Sequence, residues 1–374
     1  MKQFNNPFVI YGYKGAEYFC DREKETQTVI SGLENERNIT LLAPRRIGKT
    51  GLIHHVFERI TQEQKDVFCF YVDVFSTKNL DQFVKLLAQS ILGGLDTPGQ
   101  AVLRKFTELF SNLRPTMTFD SVTGMPAFSV DVAPGEAEVT LRQIFEYLRK
   151  SEKRCYIAID EFQQITTYPE KGTEALLRSY IQFIPNVFFI FAGSEQHLMT
   201  EMFLSAKRPF YQSSQMVQLK EIPEEAYLDF ANAFFCKKGM EIPSETFNLL
   251  YRKVDGQTWY IQAILNRLYA NCMGDITPSD IVSSISELIE EQTVAFENYY
   301  ASLTANQAAL LKAIALEGRV NAPMSQSFIQ KYRLPALSSV RMALKALTER
   351  QFIYRFNDAY IVYDRFFGMW LRDH

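Results

Sequence analysis

Short apolar runs alternate with helix-like segments over the first 220 residues. The runs predict strands, and the three- and four-residue spacing of apolar positions between them predicts helices. Strands are predicted at residues 38–43, 66–75, 154–160, 186–193 and 216–219, and helices at 50–61 and 80–93. Because this alternation is typical of a parallel sheet covered on both faces, we predict an α/β domain over residues 1–220.

Residues 115–140 interrupt the pattern. Two alternating runs, 116–119 and 127–132, flank a turn-rich stretch that contains Gly124 and Pro126. This arrangement predicts a β-hairpin inserted near residues 113–140, between a helix and the third core strand. Two interpretations stay open: a decoration of the domain, or a surface that contacts a partner, since loops often carry function.

The pattern becomes helical after Pro223 and stays so to about Tyr300, which we assign to a helical domain over residues 221–300. A new unit over 301–374 follows. Its predicted helices are 305–316, 325–332 and 338–350, and its predicted strands are 352–356 and 360–363. Three helices followed by a strand pair are typical of a winged helix. Phe366, Phe367 and Trp370 are expected to pack in a core or docking surface near the chain end.

A phosphate-binding loop is predicted at residues 43–50, with the sequence Ala-Pro-Arg-Arg-Ile-Gly-Lys-Thr. It follows a predicted strand and opens a predicted helix, as a P-loop requires. Lys49 would supply a cation to the β- and γ-phosphates of ATP, and the Thr50 hydroxyl would ligate Mg²⁺. The residues expected to contact ATP or ADP are Pro44, Arg45, Arg46, Ile47, Gly48, Lys49, Thr50 and Gly51.

One position departs from the usual motif. Ala43 stands where the first glycine is usual, which is tolerated if its φ angle is negative. Taken alone, the loop also fits a chance Gly-Lys-Thr at a strand–helix junction.

A second motif strengthens the prediction of a nucleotide site. Residues 155–161, Cys-Tyr-Ile-Ala-Ile-Asp-Glu, form an apolar strand that ends in two carboxylates. Asp160 is placed as a Walker B aspartate that holds magnesium, and Glu161 is placed to polarise the attacking water. The alternative is an exposed Asp-Glu turn. Carboxylates at the end of a buried strand are costly without a cation or donor, which favours the catalytic interpretation.

A third feature is Ser194, which follows the predicted strand 186–193. In P-loop ATPases of the additional-strand type, a polar residue at this place senses the γ-phosphate. Ser194 is equally a candidate for the N-cap of the next helix, and both roles are compatible. If the chain is of this additional-strand type, its core should be a five-stranded parallel sheet. The P-loop strand should lie between the Ser194 strand and strand 216–219, and the Walker B strand between strand 66–75 and the Ser194 strand.

Together these motifs resemble the archaeal-type P-loop ATPases, a family related to the AAA+ and STAND groups and also found in bacteria. The most specific strings are Pro-Arg-Arg-Ile-Gly-Lys-Thr at 44–50 and Asp-Glu-Phe-Gln at 160–163, with Asn-Pro-Phe at 6–8 and Phe-Cys-Asp-Arg-Glu at 19–23 in support. The resemblance spans nearly the whole chain and implies that the helical domain is a lid over the nucleotide.

The resemblance also implies further site residues. Phe19, Asp21 and Arg22 match an N-terminal motif near the adenine, and Trp259 stands near the proline of a lid motif that is usually Gly-x-Pro-Tyr. Relatives often have Pro-Leu-Tyr-Gly-Arg after the Ser194 strand. Here residues 209–213 are Pro-Phe-Tyr-Gln-Ser, so the arginine is missing. Arg208 would have to replace it, or turnover would be slow.

Composition limits the classes of partner and the cellular location that the chain can have. The 374-residue chain has a net charge of −3, so no overall field indicates a nucleic-acid or membrane partner. We expect no membrane span and no signal peptide. The five cysteines are scattered, so we expect neither a disulfide framework nor a zinc site, and a reducing cytoplasm is the favoured location. The winged-helix segment is different: ten Lys or Arg against five Asp or Glu give it +5, and the rest of the chain carries −8.

Two functions remain open on these grounds. The first is a magnesium-dependent ATPase whose nucleotide state repositions the lid and the winged helix, with DNA contact through Arg341 and Lys345 on the predicted recognition helix. The second is a slow or non-hydrolysing switch or scaffold that binds a protein partner. Asp160 and Glu161 favour the first, and Ala43 with the missing arginine favours the second.

Overall fold

The computed structural model describes residues 6–92, 113–119, 126–132, 135–356 and 358–374. The chain divides into two compact units. The first is Tyr11–Ile222, and the second contains the described N-terminal residues up to Ile10 together with Pro223–His374. Each unit is described separately below.

A five-stranded parallel sheet forms the centre of the first unit. Its strands are β1 (Ile39–Leu42), β2 (Val67–Asp73), β5 (Arg154–Asp160), β6 (Val187–Gly193) and β7 (Gln215–Gln218). They lie in the order β2-β5-β6-β1-β7, and every neighbouring pair is parallel. The predicted order is confirmed, since β6 separates the strand before the phosphate loop from the strand that ends in Asp160.

Both faces of this sheet are buried. Along β5, Ile157 and Ile159 belong to one apolar cluster, whereas Tyr156 and Ala158 belong to another. Successive side chains of a strand point to opposite faces, so the two clusters lie on opposite sides of the sheet. This double burial explains why the central strands appear in the sequence as continuous apolar runs rather than as alternating ones.

Six helices of this unit have described bounds. They are α1 (Glu23–Glu34), α2 (Lys49–Glu63), α3 (Leu80–Leu92), α4 (Ala137–Lys150), α5 (Thr173–Ile181) and α6 (Gln196–Leu204). The sequence pattern did not separate α4 from the insertion before it, because its first turn was included in the segment ending at residue 140. Its buried residues Leu141, Ile144, Phe145 and Leu148 have the spacing of an amphipathic helix.

The insertion contains an antiparallel strand pair, β3 (Leu113–Phe119) and β4 (Pro126–Val132). Both strands coincide with the segments where the hairpin is predicted. The connecting residues 120–125, including Gly124, lie outside the described residues.

The second unit is mostly helical. Its helices are α7 (Glu224–Phe235), α8 (Ser244–Lys253), α9 (Thr258–Asn271), α10 (Pro278–Glu290), α11 (Thr293–Ala301), α12 (Ala305–Glu317), α13 (Gln326–Lys331), α14 (Leu337–Glu349) and α15 (Arg365–Asp373). Its strands are β8 (Ile353–Phe356) and β9 (Ala359–Val362), which pair antiparallel. The predicted winged-helix order is confirmed.

Two features of the winged helix were not predicted. Val320 pairs with Tyr360 through a single antiparallel bridge, which extends the wing beyond β8 and β9. The chain end also forms α15, whose N-cap Asp364 accepts hydrogen bonds from the backbone N–H groups of Phe366 and Phe367. No helix within the described ranges combines the length and apolar character needed to span a bilayer.

Candidate active site

The loop between β1 and α2 turns sharply before the helix begins. Arg46 and Gly48 have φ angles of 67° and 98°, whereas Ala43 is not among the described residues with positive φ. Alanine therefore fits position 43 without strain. Gly48 is the N-cap of α2 and has no side chain to cover the first N–H groups of the helix, and such uncapped groups are suited to bind phosphate.

Lys49 lies between two carboxylates at the carboxyl edge of the sheet. Its Nζ is 2.6 Å from Asp160 Oδ1 and 3.0 Å from Glu161 Oε1. The Thr50 hydroxyl donates to Asp160 Oδ2 at 2.8 Å. The four residues meet because β1 and β5 are parallel strands of one sheet, so the segments that follow them leave from the same edge.

Burial and pairing oppose each other at the two carboxylates. Burial by itself would raise the pKa of Asp160, but the Lys49 ammonium and hydrogen bonds from Lys49, Thr50 and Tyr71 outweigh it and hold the pKa below its ordinary value. The pKa of Glu161 is lowered in the same way: Lys49, Gln163 and Ser194 outweigh burial. Both carboxylates are therefore ionised at neutral pH.

Ser194 directly follows β6 and contacts Glu161. Its hydroxyl donates to Glu161 Oε2 at 2.7 Å, and its backbone N–H donates to the same oxygen at 3.3 Å. Arg45 of the phosphate loop donates to the Ser194 hydroxyl at 3.2 Å. The N-cap of α6 is Glu195, so the N-cap interpretation of Ser194 is wrong. Ser194 instead connects the phosphate loop to the carboxylate after β5.

Two side chains that were not predicted as site residues also hold the carboxylates. Gln163 is buried and donates to Glu161 Oε2 at 2.5 Å, and the Tyr71 hydroxyl donates to Asp160 Oδ2 at 2.9 Å. A Cβ atom on Gly193 would lie 2.3 Å from Gln163 Oε1, so any side chain at this position would displace the Gln163 amide. Tyr71 lies near the carboxyl end of β2, beside β5. This position in a predicted strand next to the Walker B strand is the only sequence signal that could have identified it as a site residue.

The N-terminal motif contacts the phosphate loop through Arg22. This buried guanidinium donates to the carbonyl oxygens of Ile47 at 3.1 Å and Lys220 at 2.6 Å. Asp21 and Arg22 have φ angles of 52° and 71°. The Phe19 ring covers Gly51, where a Cβ atom would lie 3.3 Å from it. The motif thus packs on the phosphate loop and on the first turn of α2.

Comparison with known proteins agrees with this geometry. Residues 19–264, more than half of the chain, match the family described as an ATPase domain predominantly from Archaea. The chain belongs to this family. It is an ATP-hydrolysing enzyme. Residues 294–373 match a second family, described as a probable winged helix domain. No protein with a curated description matches the chain.

Solved structures similar to this ATPase support the fold. The Walker-type ATPase PABY2304 of Pyrococcus abyssi has a TM-score of 0.67 at 18% identity, covering 98% of this chain and 99% of that one. The ORC2 protein of Aeropyrum pernix, in ADPNP–ADP complexes, has a TM-score of 0.61 at 15% identity and covers 98% and 95%. The Aeropyrum pernix ORC1 protein in complex with DNA has a TM-score of 0.54 at 11% identity and covers 98% and 96%.

Trp259 of this ATPase belongs to the second compact unit. Its indole lies against the rings of Tyr260, at 5.1 Å, and Phe366, at 6.2 Å, between centroids. Neighbouring residues of the predicted lid motif also bond within this unit: Gln257 donates to the Tyr354 hydroxyl, and the Tyr260 hydroxyl accepts from the backbone N–H of Arg365. The described contacts of the motif thus include the winged helix, and its role at the nucleotide stays a prediction.

Arg208 is engaged elsewhere in the first unit. Its guanidinium pairs with Glu174 at 2.9 Å and lies 3.8 Å from Glu201. Those partners belong to α5 and α6 rather than to the phosphate loop, so the described contacts do not place Arg208 as a substitute for the missing arginine of residues 209–213.

The Lys49 pairing has a consequence for stability. Replacing Lys49 with Ala leaves the buried Asp160 and the half-buried Glu161 without their cation, which should cost about 3 kcal/mol at pH 7 in nucleotide-free protein. Carboxylates with lowered pKa values stabilise the fold above their ordinary pKa, and this contribution is lost as pH falls through the folded-state value. Urea unfolding should therefore show a smaller difference from the wild type below about pH 4.

Lys345→Ala is the matched control for this experiment. Lys345 is 70% exposed and pairs with Glu349 at 3.7 Å, so its loss should change stability by less than about 0.5 kcal/mol. A Lys49→Ala effect of equal size at pH 7 and at about pH 3 would contradict the assignment of its cost to the carboxylates.

Gln163 provides a test of how Glu161 is oriented. Gln163→Leu keeps the bulk but removes the amide that donates to Glu161, so turnover should fall about 10-fold while nucleotide affinity stays constant. Gln164→Leu is the control, because Gln164 donates to the Thr77 carbonyl instead. Equal losses in the two variants, measured as steady-state ATP turnover, would show that Gln163 acts only through folding.

Proposed function

We propose that this ATPase hydrolyses ATP with Mg²⁺ at the carboxyl edge of the β2-β5-β6-β1-β7 sheet. The observation that carries the proposal is the convergence of Lys49, Thr50, Asp160 and Glu161, with Thr50 Oγ1 only 2.8 Å from Asp160 Oδ2. The family match assigns ATP hydrolysis to the chain, and this convergence is the chemistry that supports it.

The residues present fit a magnesium ion. Magnesium prefers oxygen ligands and is usually held by one or two protein groups, with water and phosphate completing its shell. Thr50 offers a hydroxyl and Asp160 an ionised carboxylate, and their oxygens lie 2.8 Å apart. When bound there, the ion would neutralise charge on the β- and γ-phosphates.

The remaining steps belong to residues of the chain. Lys49 would bind the β- and γ-phosphates, which requires its ammonium to move from the carboxylates towards the nucleotide. Glu161 would then accept a proton from the attacking water, and Gln163 and Ser194 hold one of its oxygens in a fixed direction. Ser194 accepts a hydrogen bond from Arg45 of the phosphate loop, and its proposed role is to sense the γ-phosphate.

The other predicted contacts follow from position. The N–H groups of residues 44–50 would surround the phosphates, and Phe19 with Asp21 would lie towards the base, while Arg22 supports the loop through the Ile47 carbonyl. Trp259 would contribute from the lid.

A slow nucleotide switch that binds a protein partner is the second candidate. It is favoured by the pairing of Arg208 with Glu174, because Arg208 is the one arginine in the sequence of residues 208–213 and is already engaged with a carboxylate. Turnover rate distinguishes the two candidates, since a slow switch would hold ATP far longer than an actively hydrolysing ATPase.

Glu161→Gln tests the assignment of the base. The amide keeps the shape of the side chain but accepts no proton, so the variant should bind ATP and lose about 10²–10⁴-fold in turnover. Lys49→Ala should instead lose nucleotide affinity, because it removes a cation from the phosphate loop. Binding of a fluorescent ATP analogue and phosphate release separate these outcomes. Normal turnover of Glu161→Gln would remove Glu161 from the role of base.

We further propose that the winged helix contacts DNA through α14. Arg341 and Lys345 lie four residues apart on this helix, and both are exposed. The segment from Ser302 onward carries +5, and a structural neighbour of the whole chain was solved in complex with DNA. Nucleotide state would alter this contact by repositioning the lid and the winged helix. The exposed Leu337 and Met342 on the same helix favour the alternative, a protein partner.

Salt dependence tests the DNA contact. Lys and Arg outnumber Asp and Glu in the winged-helix segment, so contacts with DNA phosphates should dominate. Binding should therefore be insensitive to the DNA sequence and should weaken steeply with salt. Arg341→Ala with Lys345→Ala should reduce the logarithmic salt slope by up to about 2, roughly one for each phosphate that the variant no longer neutralises. Band shifts across salt concentrations, with ADP and with ATP, measure both the salt slope and the effect of nucleotide. Absence of binding at low salt would leave the protein partner, and equal affinity with both nucleotides would exclude coupling.

A further inference from the structure

The second compact unit contains a half-open cavity of about 470 Å³, and none of its lining residues belongs to the predicted nucleotide site. Its walls come from the C-terminal end of α8, from α10 and the end of α12, and from β9 and α15. Volumes of roughly 300–1,000 Å³ are usual for small-molecule sites. Helices of the predicted lid and elements of the winged helix therefore line one space.

The floor of this cavity is aliphatic. Ile285 and Ile289 contribute from α10, Ile361 and Val362 from β9, and Met369 from α15. No aromatic residue is among the described residues that line the cavity. Such a floor suits an aliphatic body better than a planar base, because it provides no surface for stacking.

The charges around the cavity are unbalanced. Five cations and three carboxylates line it, and two of the carboxylates are already engaged. Asp255 is shared by Arg319, at 3.4 Å, and the buried Arg365, at 3.2 Å. Asp364 caps α15.

The other three cations, Arg252, Lys253 and Arg372, have no ion pair among the described residues. Arg252 and Lys253 belong to the last turn of α8, and Arg372 to the last turn of α15. All three side chains are exposed, and the third lining carboxylate, Asp373, directly follows Arg372 in the chain. Five cations against three carboxylates still leave the rim of the cavity net positive, which attracts an anion.

We propose that this cavity binds a small molecule with an aliphatic body and one anionic head group, such as a medium-chain carboxylate. The body would lie on the Ile285–Ile289 floor, and the head group would lie between Arg252, Lys253 and Arg372. Because the walls come from the lid helices and from the winged helix, the occupant stabilises their contact within this unit.

Calorimetric titration of the full-length protein tests this site with three probes: octanoate, 1-octanol and inorganic phosphate. Octanoate should bind at one site, at least about 10-fold more tightly than either other probe, because only octanoate offers both the chain and the charge. Octanol binding as tightly as octanoate would overturn the role of the cations, and phosphate doing so would overturn the role of the aliphatic floor. Absence of octanoate binding would overturn the proposal.

Two variants locate the binding within the cavity. Ser286→Trp fills it from an exposed position on α10 and should weaken octanoate at least about 10-fold, whereas Ser283→Trp, on the same helix but outside the cavity, should not. Arg252→Glu with Arg372→Glu should weaken octanoate by a similar factor and leave octanol unchanged. Arg341→Glu with Lys345→Glu makes the same charge change on α14, away from the cavity, and should leave octanoate binding intact. Octanoate affinity unaffected by both cavity variants would overturn the assignment of the site.

Discussion

The pairing of Lys49 with Asp160 and Glu161 is the interaction on which the rest of the first unit depends. Three charged side chains meet at the edge of a sheet where Lys49 and Asp160 are almost completely buried. Each charge would be costly there without the others. The same three residues are the ones that must rearrange when a phosphate approaches, so the cation that stabilises the fold is also the cation that we propose for binding ATP.

Four of the eleven non-glycine residues with positive φ in the described part of the chain belong to the segments around this pairing. Asp21, Arg22, Arg46 and Glu161 all have φ angles between 52° and 71°, a region that side chains other than glycine rarely adopt. Such residues persist only where surrounding contacts hold them. Here those contacts are the Arg22 bonds to two carbonyls and the bonds of Gln163 and Ser194 to Glu161. Part of the backbone strain of the first unit thus lies in the segments that would have to respond to a nucleotide.

A comparable arrangement links the helices of the second unit to its winged helix. Arg365 pairs with Asp255 and donates to the Val362 carbonyl and to the Tyr354 hydroxyl. Asp255 and the adjacent Gly256 both have positive φ, and a Cβ atom on Gly256 would lie 2.6 Å from the Tyr251 hydroxyl. One strained turn between α8 and α9 therefore meets the wing, and the same turn borders the cavity described above.

Local sequence determined much of this protein. The strand positions, helices α2 and α3, the winged-helix order, the phosphate loop and the carboxylates after β5 were predictable, because periodicity and motif spacing depend on residues close together in the chain. The strand order followed from those motifs through the type of ATPase they resemble. Only the tertiary structure decided that Thr50 meets Asp160 across 110 positions, that Tyr71 and Gln163 join the site, and that Arg208 pairs with Glu174. Those contacts depend on strand register and on the direction of each side chain at the sheet edge, which residues adjacent in the chain do not specify.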